Sequence, residues 1–222
     1  MSIILLHLET STKVCSVALS KDGALLAYLD QATDAYIHGE ALTLMIHELL
    51  VQQAIQLHDL SAISYSSGPG SYTGLRIGLS TAKGLCFALS IPLIALPTNQ
   101  ILYQIAKENG FESSQNTITI LDARRTEAYM EVFDKQGKSI QNLHCALLDQ
   151  NDISELLPSV VIGDASQKAK LIWNSDKLQW IDVPLSAKYQ VKIALIAFKN
   201  KQFEDLAYCS PIYLKGANGI LL

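Results

Sequence analysis

A chain of 222 residues, 49% hydrophobic and 17% charged, is long enough for one large domain or two small ones, each with its own core. Its formal net charge of -4 supplies no general field that would gather nucleic acid, so any contact with RNA is local or made through a partner. Cys15, Cys86, Cys145 and Cys209 form no CxxC pair and no zinc-finger spacing, which argues against a structural metal.

The opening "MSIILLHLET" has no basic segment, and Glu9 interrupts its apolar run, so it reads as a buried first strand of a cytoplasmic protein away from membranes. The polar turn "ETSTK", the run "VCSVALS", the hairpin signal "KDG" and "ALLAYLD" then predict a three-stranded antiparallel opening. From Asp34 to Leu60 the chain is rich in helix formers and free of proline, which predicts a long helix. Leu42, Met45, Ile46, Leu49 and Leu50 form one apolar stripe on it, while Leu44, Val51 and Ile55 lie round the side, so the helix has more than one neighbour. The stripe serves either the chain's own core or an interface.

The strand "AISYSS" leads into "SSGPGSYTGLRIGLSTAKG", which fails both phosphate-loop patterns: Lys83 follows Ala82 rather than glycine, and Thr73 stands at the third glycine of GxGxxG. "GPGS" is a tight turn, and Ser71 or Thr73 caps the helix that follows. Gly74, Gly78 and Ala82 recur every fourth residue and make a smooth row along that helix. Two helical glycines cost roughly 0.8–1 kcal/mol each, so the row implies close approach of another backbone, in the chain's own sheet or in another chain. Arg76 in the first turn opposes the helix dipole and suits an anionic neighbour; the plain alternative is a solvated surface arginine.

The strand "IPLIALPT" and the helix "NQILYQIAKENG" follow, and after "FESSQN" the meander repeats as "TITILD", "TEAYMEVFD" and "SIQNLHCALL". A short helix at "DISELL", a strand at "SVVIGD" and helices at "SQKAKLIW" and "AKYQVKIALIAFKNKQF" complete the chain. The repeat divides it near Asn109 into two α/β halves, 1–109 and 110–222, the last helix being free to pack back on the first.

The blocks "LETSTKVCSVAL", "GPGSYTGLRIG", "DARRTEAYMEVF" and "PIYLK" resemble, in order and spacing, the TsaB family of bacterial tRNA threonylcarbamoyladenosine biosynthesis proteins. The resemblance implies an α/β fold of two related actin-like, Hsp70-like or sugar-kinase-like domains, the second reduced. It implies a non-catalytic subunit without a cofactor that docks the paralogous transferase TsaD and helps recruit the ATPase TsaE. Such a subunit meets tRNA only through the complex, and a face suited to a paralogue also suits a second copy, giving a homodimer in isolation. The docking residues expected are Leu42, Met45, Ile46 and Leu49 on the first helix and Gly74, Arg76, Gly78 and Ala82 on the second. Thr10, Ser11 and Thr12 stand where related ATPases bind phosphate and read as a vestigial loop.

Two departures separate the chain from catalytic relatives. Glu9 replaces the family's usual Asp, and the transferase's His-x-x-x-His metal pair is missing, because Leu42 lies four after His38 and Thr43 four before His47. The competing reading is an ATP-dependent enzyme of the sugar-kinase type. Asp122 stands in a matching position for it, but no glycine-rich phosphate turn follows. Arg124 and Arg125, in a turn between two strands, either contact a phosphate or carboxylate on a partner or are simply solvated.

Overall fold

The computed structural model describes residues 2–32, 38–110 and 115–216. The expected start of the long helix at Asp34 therefore lies outside the described residues, as does the side chain of His38.

Strands β1 (Ile4–Glu9), β2 (Val14–Lys21) and β3 (Ala24–Ala32) form the expected antiparallel meander. β4 (Ala62–Gly68) and β5 (Leu93–Pro97) add in parallel on the other side of β1, giving the order β3-β2-β1-β4-β5. Alternation sorts the side chains. Leu6, Leu8, Val17, Leu19, Ile63 and Tyr65 enter one core, and each buried leucine contributes roughly 1.5–3 kcal/mol. Helices α1 (His38–Gln52) and α2 (Tyr72–Leu89) lie side by side over that face, α1 against β2 and α2 against β4. Ser71 caps α2 by accepting from Gly74 N at 3.2 Å. α1 is shorter than the pattern predicts: Ala54 takes a left-handed φ of 52° and Ile55 N bonds back to Leu50 O at 3.0 Å, which closes the helix end.

The chain forms two compact units. The first takes in the chain to Thr98 together with Ser186–Ile212; the second takes in Asn99–Leu185 and the segment from Tyr213 onward. The expected division after Asn109 thus falls differently. Helix α3 (Thr98–Glu108) lies almost wholly in the second unit, where Asn99 Nδ2 donates to Thr119 Oγ1 at 2.8 Å and the Tyr103 ring meets Phe133 at 4.9 Å.

The second unit repeats the topology. β6 (Asn116–Asp122), β7 (Glu127–Phe133) and β8 (Ser139–Leu147) form a meander, and β9 (Ser159–Ile162) and β10 (Leu178–Ile181) add in parallel beside β6. β10, only four residues long, is a strand that the sequence pattern does not announce. Helix α4 (Ser166–Lys170) and Trp173 join a core of Ile118, Ile120, Met130, Val132 and Val161 through Ala169 and the indole. Trp173 Nε1 donates to Leu148 O at 3.0 Å, so the one polar atom of that ring is satisfied.

The returning segment covers the other face of the first sheet. A short 3-10 turn, Ala187–Gln190, precedes helix α5 (Val191–Lys199). Ala187 N donates to Ser16 Oγ and Gln190 Nε2 to Leu8 O, both at 2.8 Å, across 171 and 182 residues of sequence. No helix among the described residues is long and apolar enough to cross a membrane.

Candidate functional site

β1 carries His7 and Glu9 on the face opposite the leucines, and both are fully buried. Ser64 gives its proton to Gln190 Oε1 at 2.7 Å, so His7 Nδ1 must donate to Ser64 Oγ at 2.7 Å and Nε2 must accept from Ser20 Oγ at 2.8 Å. The ring is neutral, because burial lowers its pKa to about 3. Glu9 Oε1 accepts from Ser11 N, Ser11 Oγ and Ser66 Oγ at 2.8, 2.6 and 2.8 Å, while Oε2 has no hydrogen-bond partner among the described residues. Burial outweighs the hydrogen bonding by Ser11, Ser66 and Gln190 and raises the carboxyl pKa to about 7.

The turn after Glu9 is closed by the chain itself. Thr10, Ser11 and Thr12 are all buried. Thr10 Oγ1 donates to Gly74 O at 2.8 Å, Ser11 O accepts from Ser71 N at 2.7 Å, and Thr12 Oγ1 accepts from Val14 N at 3.3 Å. The small-residue row of α2 serves this packing. A Cβ on Gly78 would lie 2.4 Å from Thr10 Oγ1, and one on Gly70 would lie 2.4 Å from Ser11 O. A phosphate arriving at this turn would find its hydroxyls engaged and a carboxyl beside them.

The expected docking residues require a correction. Leu42, Met45, Ile46 and Leu49 lie in the core of the first unit, because their stripe is the face that α1 lays on the sheet. Gly74, Gly78 and Ala82 are likewise buried, with Gly74 and Gly78 against the Thr10 turn and Ala82 in the core. These seven side chains and backbone positions are not at the surface of the folded chain. Arg76 is exposed, with its guanidinium 4.4 Å from the centre of the Tyr72 ring. On these two helices, the large apolar groups that face outward among the described residues are Leu44 and Val51 on α1, 68% and 65% exposed, and Phe87 on α2, 80% exposed. Gly84, one turn before Phe87, has open space over it. The sequence pattern sets Leu44 and Val51 off the main stripe without showing them uncovered, and it does not distinguish Phe87, since an apolar residue reads alike whether it is covered by its own fold or by none.

His47 is exposed, and no group of three His, Cys, Asp or Glu side chains among the described residues is placed to hold a metal. In the second unit, Asp122 ends β6 and pairs with Lys168 at 2.5 Å. Arg124 and Arg125 are exposed with φ of 71° and 48°, a left-handed conformation that costs a side-chain-bearing residue roughly 1–2 kcal/mol. Lys215, from the "PIYLK" block, is buried and pairs with Glu127, holding that carboxyl below its ordinary pKa.

Two related units, each a three-stranded meander extended by two parallel strands, define the class to which actin, Hsp70 and the sugar kinases belong. The solved structure of YeaZ from Pseudomonas aeruginosa has this fold, with a TM-score of 0.82 at 24% identity over 96% of this chain and all of that one. An inorganic polyphosphate/ATP-glucomannokinase from Arthrobacter is more distant, with a TM-score of 0.50 and 12% identity over 90% of this chain and 99% of that one.

Residues 34–208 match the model of the family described as TsaD, tRNA N6-adenosine threonylcarbamoyltransferase. The TsaB protein of Bacillus subtilis (strain 168) is 30% identical over 95% of this chain and 93% of its own length, and that of Escherichia coli (strain K12) is 31% identical over 61% of this chain. In the E. coli and Haemophilus influenzae TsaB proteins, the matched segment spans 57% and 52% of their length, little more than half. The chain belongs to the TsaB family, within the wider group that this transferase model describes.

Proposed function

We propose that this chain is the non-catalytic, activating subunit of a complex that forms threonylcarbamoyladenosine in tRNA. It docks a TsaD-like transferase through the outward faces of α1 and α2, helps recruit a TsaE-like ATPase, and pairs with a second copy of itself in isolation. The observation that carries this reading is that Leu44, Val51 and Phe87 stand exposed on two adjacent helices. Large apolar side chains grouped on neighbouring helices suit a helix-on-helix interface, and covering each contributes roughly 1.5–3 kcal/mol. The closed turn at Thr10–Thr12 works in the same direction, because a nucleotide-using enzyme of this fold would need those hydroxyls open.

The test uses Leu44→Asp, Val51→Asp and Phe87→Asp, singly and combined. Each site is exposed in the single chain, so the fold, read by the far-ultraviolet circular dichroism of the free protein, should hold. The expected result is a loss of at least about ten-fold in co-purification with the transferase paralogue, equivalent to roughly 1.4 kcal/mol. A matching fall in threonylcarbamoyladenosine among digested tRNA nucleosides should accompany it. A combined variant that pairs and modifies as well as the parent would sink the reading. The competing reading, an ATP-dependent enzyme of the sugar-kinase type, requires ATP–magnesium binding tighter than about 10 μM together with turnover.

A further inference from the structure

We propose that the turn between β6 and β7 is an RNA-backbone contact, in which Arg124 and Arg125 engage phosphate oxygens of tRNA directly, whereas the family resemblance implies contact only through the complex. The choice of RNA rests on the reading above; the chemistry of the turn stands on its own geometry. Both arginines are exposed, yet both occupy backbone positions that glycine or asparagine takes more easily.

The turn is stiffened from beneath. Glu127 N donates to Arg124 O at 3.0 Å, closing it. Lys168 Nζ donates to Arg125 O at 3.2 Å and to Glu127 O, and Lys215 Nζ donates to Ala123 O at 3.4 Å. The same two lysines pair with the turn's two carboxylates, Asp122 and Glu127. Neither guanidinium has an ion pair or hydrogen bond among the described residues, so the turn presents an excess of two positive charges on a chain of net charge -4.

Backbone strain at an exposed tip, held in place by buried or half-buried lysines, is a cost that packing does not explain. Planar guanidinium forks on adjacent residues suit two anionic groups on a regular repeat, as successive phosphates provide. An acidic protein segment supplies carboxylates on no such repeat, and is the outcome the test must separate.

The probe is a fluorescently labelled tRNA transcript, titrated with the purified full chain at about 50 mM and about 200 mM salt, where phosphate contacts separate by their salt dependence. Arg124→Ala/Arg125→Ala and Arg124→Gly/Arg125→Gly are compared with Lys135→Ala/Lys138→Ala, a charge-matched change at exposed positions of the β7–β8 turn. Both arginine variants should weaken binding about ten-fold at the lower salt and reduce the slope of log affinity against log salt by about 2, one per phosphate contact. The lysine control should change neither by as much. The double-glycine variant should melt no lower than the parent, which shows that the loss is not unfolding. Unchanged affinity in the arginine variants, an equal loss in the lysine control, or competition by polyglutamate as strong as by unlabelled tRNA would each overturn the proposal. RNA binding is read without the transferase, so failure of the docking test leaves this readout independent.

Discussion

The turns that follow β1 and β6 hold the same place in two copies of one topology, and they have opposite fates. The first, Glu9–Thr12, is buried, and its polar groups are turned inward onto Ser66, Gly74 and Ser71. The second, Asp122–Glu127, keeps both arginines exposed and has lysines fastening its carbonyls. The covering element makes the difference. The GPGS turn and the start of α2 seal the first, and glycine at positions 70 and 78 lets them come close enough to do so. A repeated unit can therefore close a turn in one copy by packing its own helix over it, while the other copy keeps that turn at the surface.

The largest way to break this contrast is Gly78→Leu. A side chain there would drive into Thr10, and overpacking of this kind costs about 1–3 kcal/mol or more, so the free protein should melt far lower or fail to fold. An unchanged melt would mean that the seal is not where the geometry puts it.

Next comes the pH response of Glu9. Its pKa rises from 4.5 to about 7 on folding, so the folded state holds a proton that the unfolded state releases, and stability falls as pH rises between those values. His7 acts oppositely: its pKa falls from 6.5 to about 3, so stability is lost as pH drops through that window. From about pH 4.5 to 6.5 the two slopes cancel, and the parent should show a plateau. Glu9→Gln should replace the plateau with a rise, gaining about 3 kcal/mol on the parent between pH 4.5 and 8 in urea titrations. A parent that already rises with pH as the variant does would show that Glu9 is ionised when folded.

At the second turn the sign reverses. Lys215 lowers the Glu127 pKa, so its stabilisation is present above the ordinary carboxylate range and fades as pH falls through the lowered value. Glu127→Gln should therefore lose stability at neutral pH and converge on the parent in acid, by less than the Glu9 effect because this pair is part exposed. Smallest is Ser71→Ala, which removes the cap of α2 and should cost about 1 kcal/mol without touching the second unit. Hydrogen exchange should report the loosening first at Gly74, whose N–H loses its acceptor.

Much of the fold was legible because alternation and helical period act locally. The two meanders, α2 and its serine cap are written in neighbouring residues. The glycine row was legible as a demand for close approach, but the approaching group, Thr10, lies 64 residues from Gly74, and nothing local names it. The stripe of Leu42, Met45, Ile46 and Leu49 was legible as apolar, not as inward, because periodicity is the same for a core face and an interface face. Gln190, Lys168 and Lys215 escaped notice as single polar residues whose partners are set by tertiary structure. β10 escaped because Leu178–Ile181 is too short to show a period.

The route of the chain through the two units also constrains how the protein is made. The polar layer of the first sheet is completed by Ala187 and Gln190, whose partners Ser16 and Leu8 leave the ribosome first. A nascent chain that has reached only Thr98 has the five strands and helices α1 and α2 of its first unit but must leave His7, Ser16 and Ser64 without their cover. Long-range closure of this kind is slow and exposes intermediates to aggregation, so the first sheet, translated early, stays open until Ala187 and Gln190 have followed the whole run Asn99–Leu185 of the second unit.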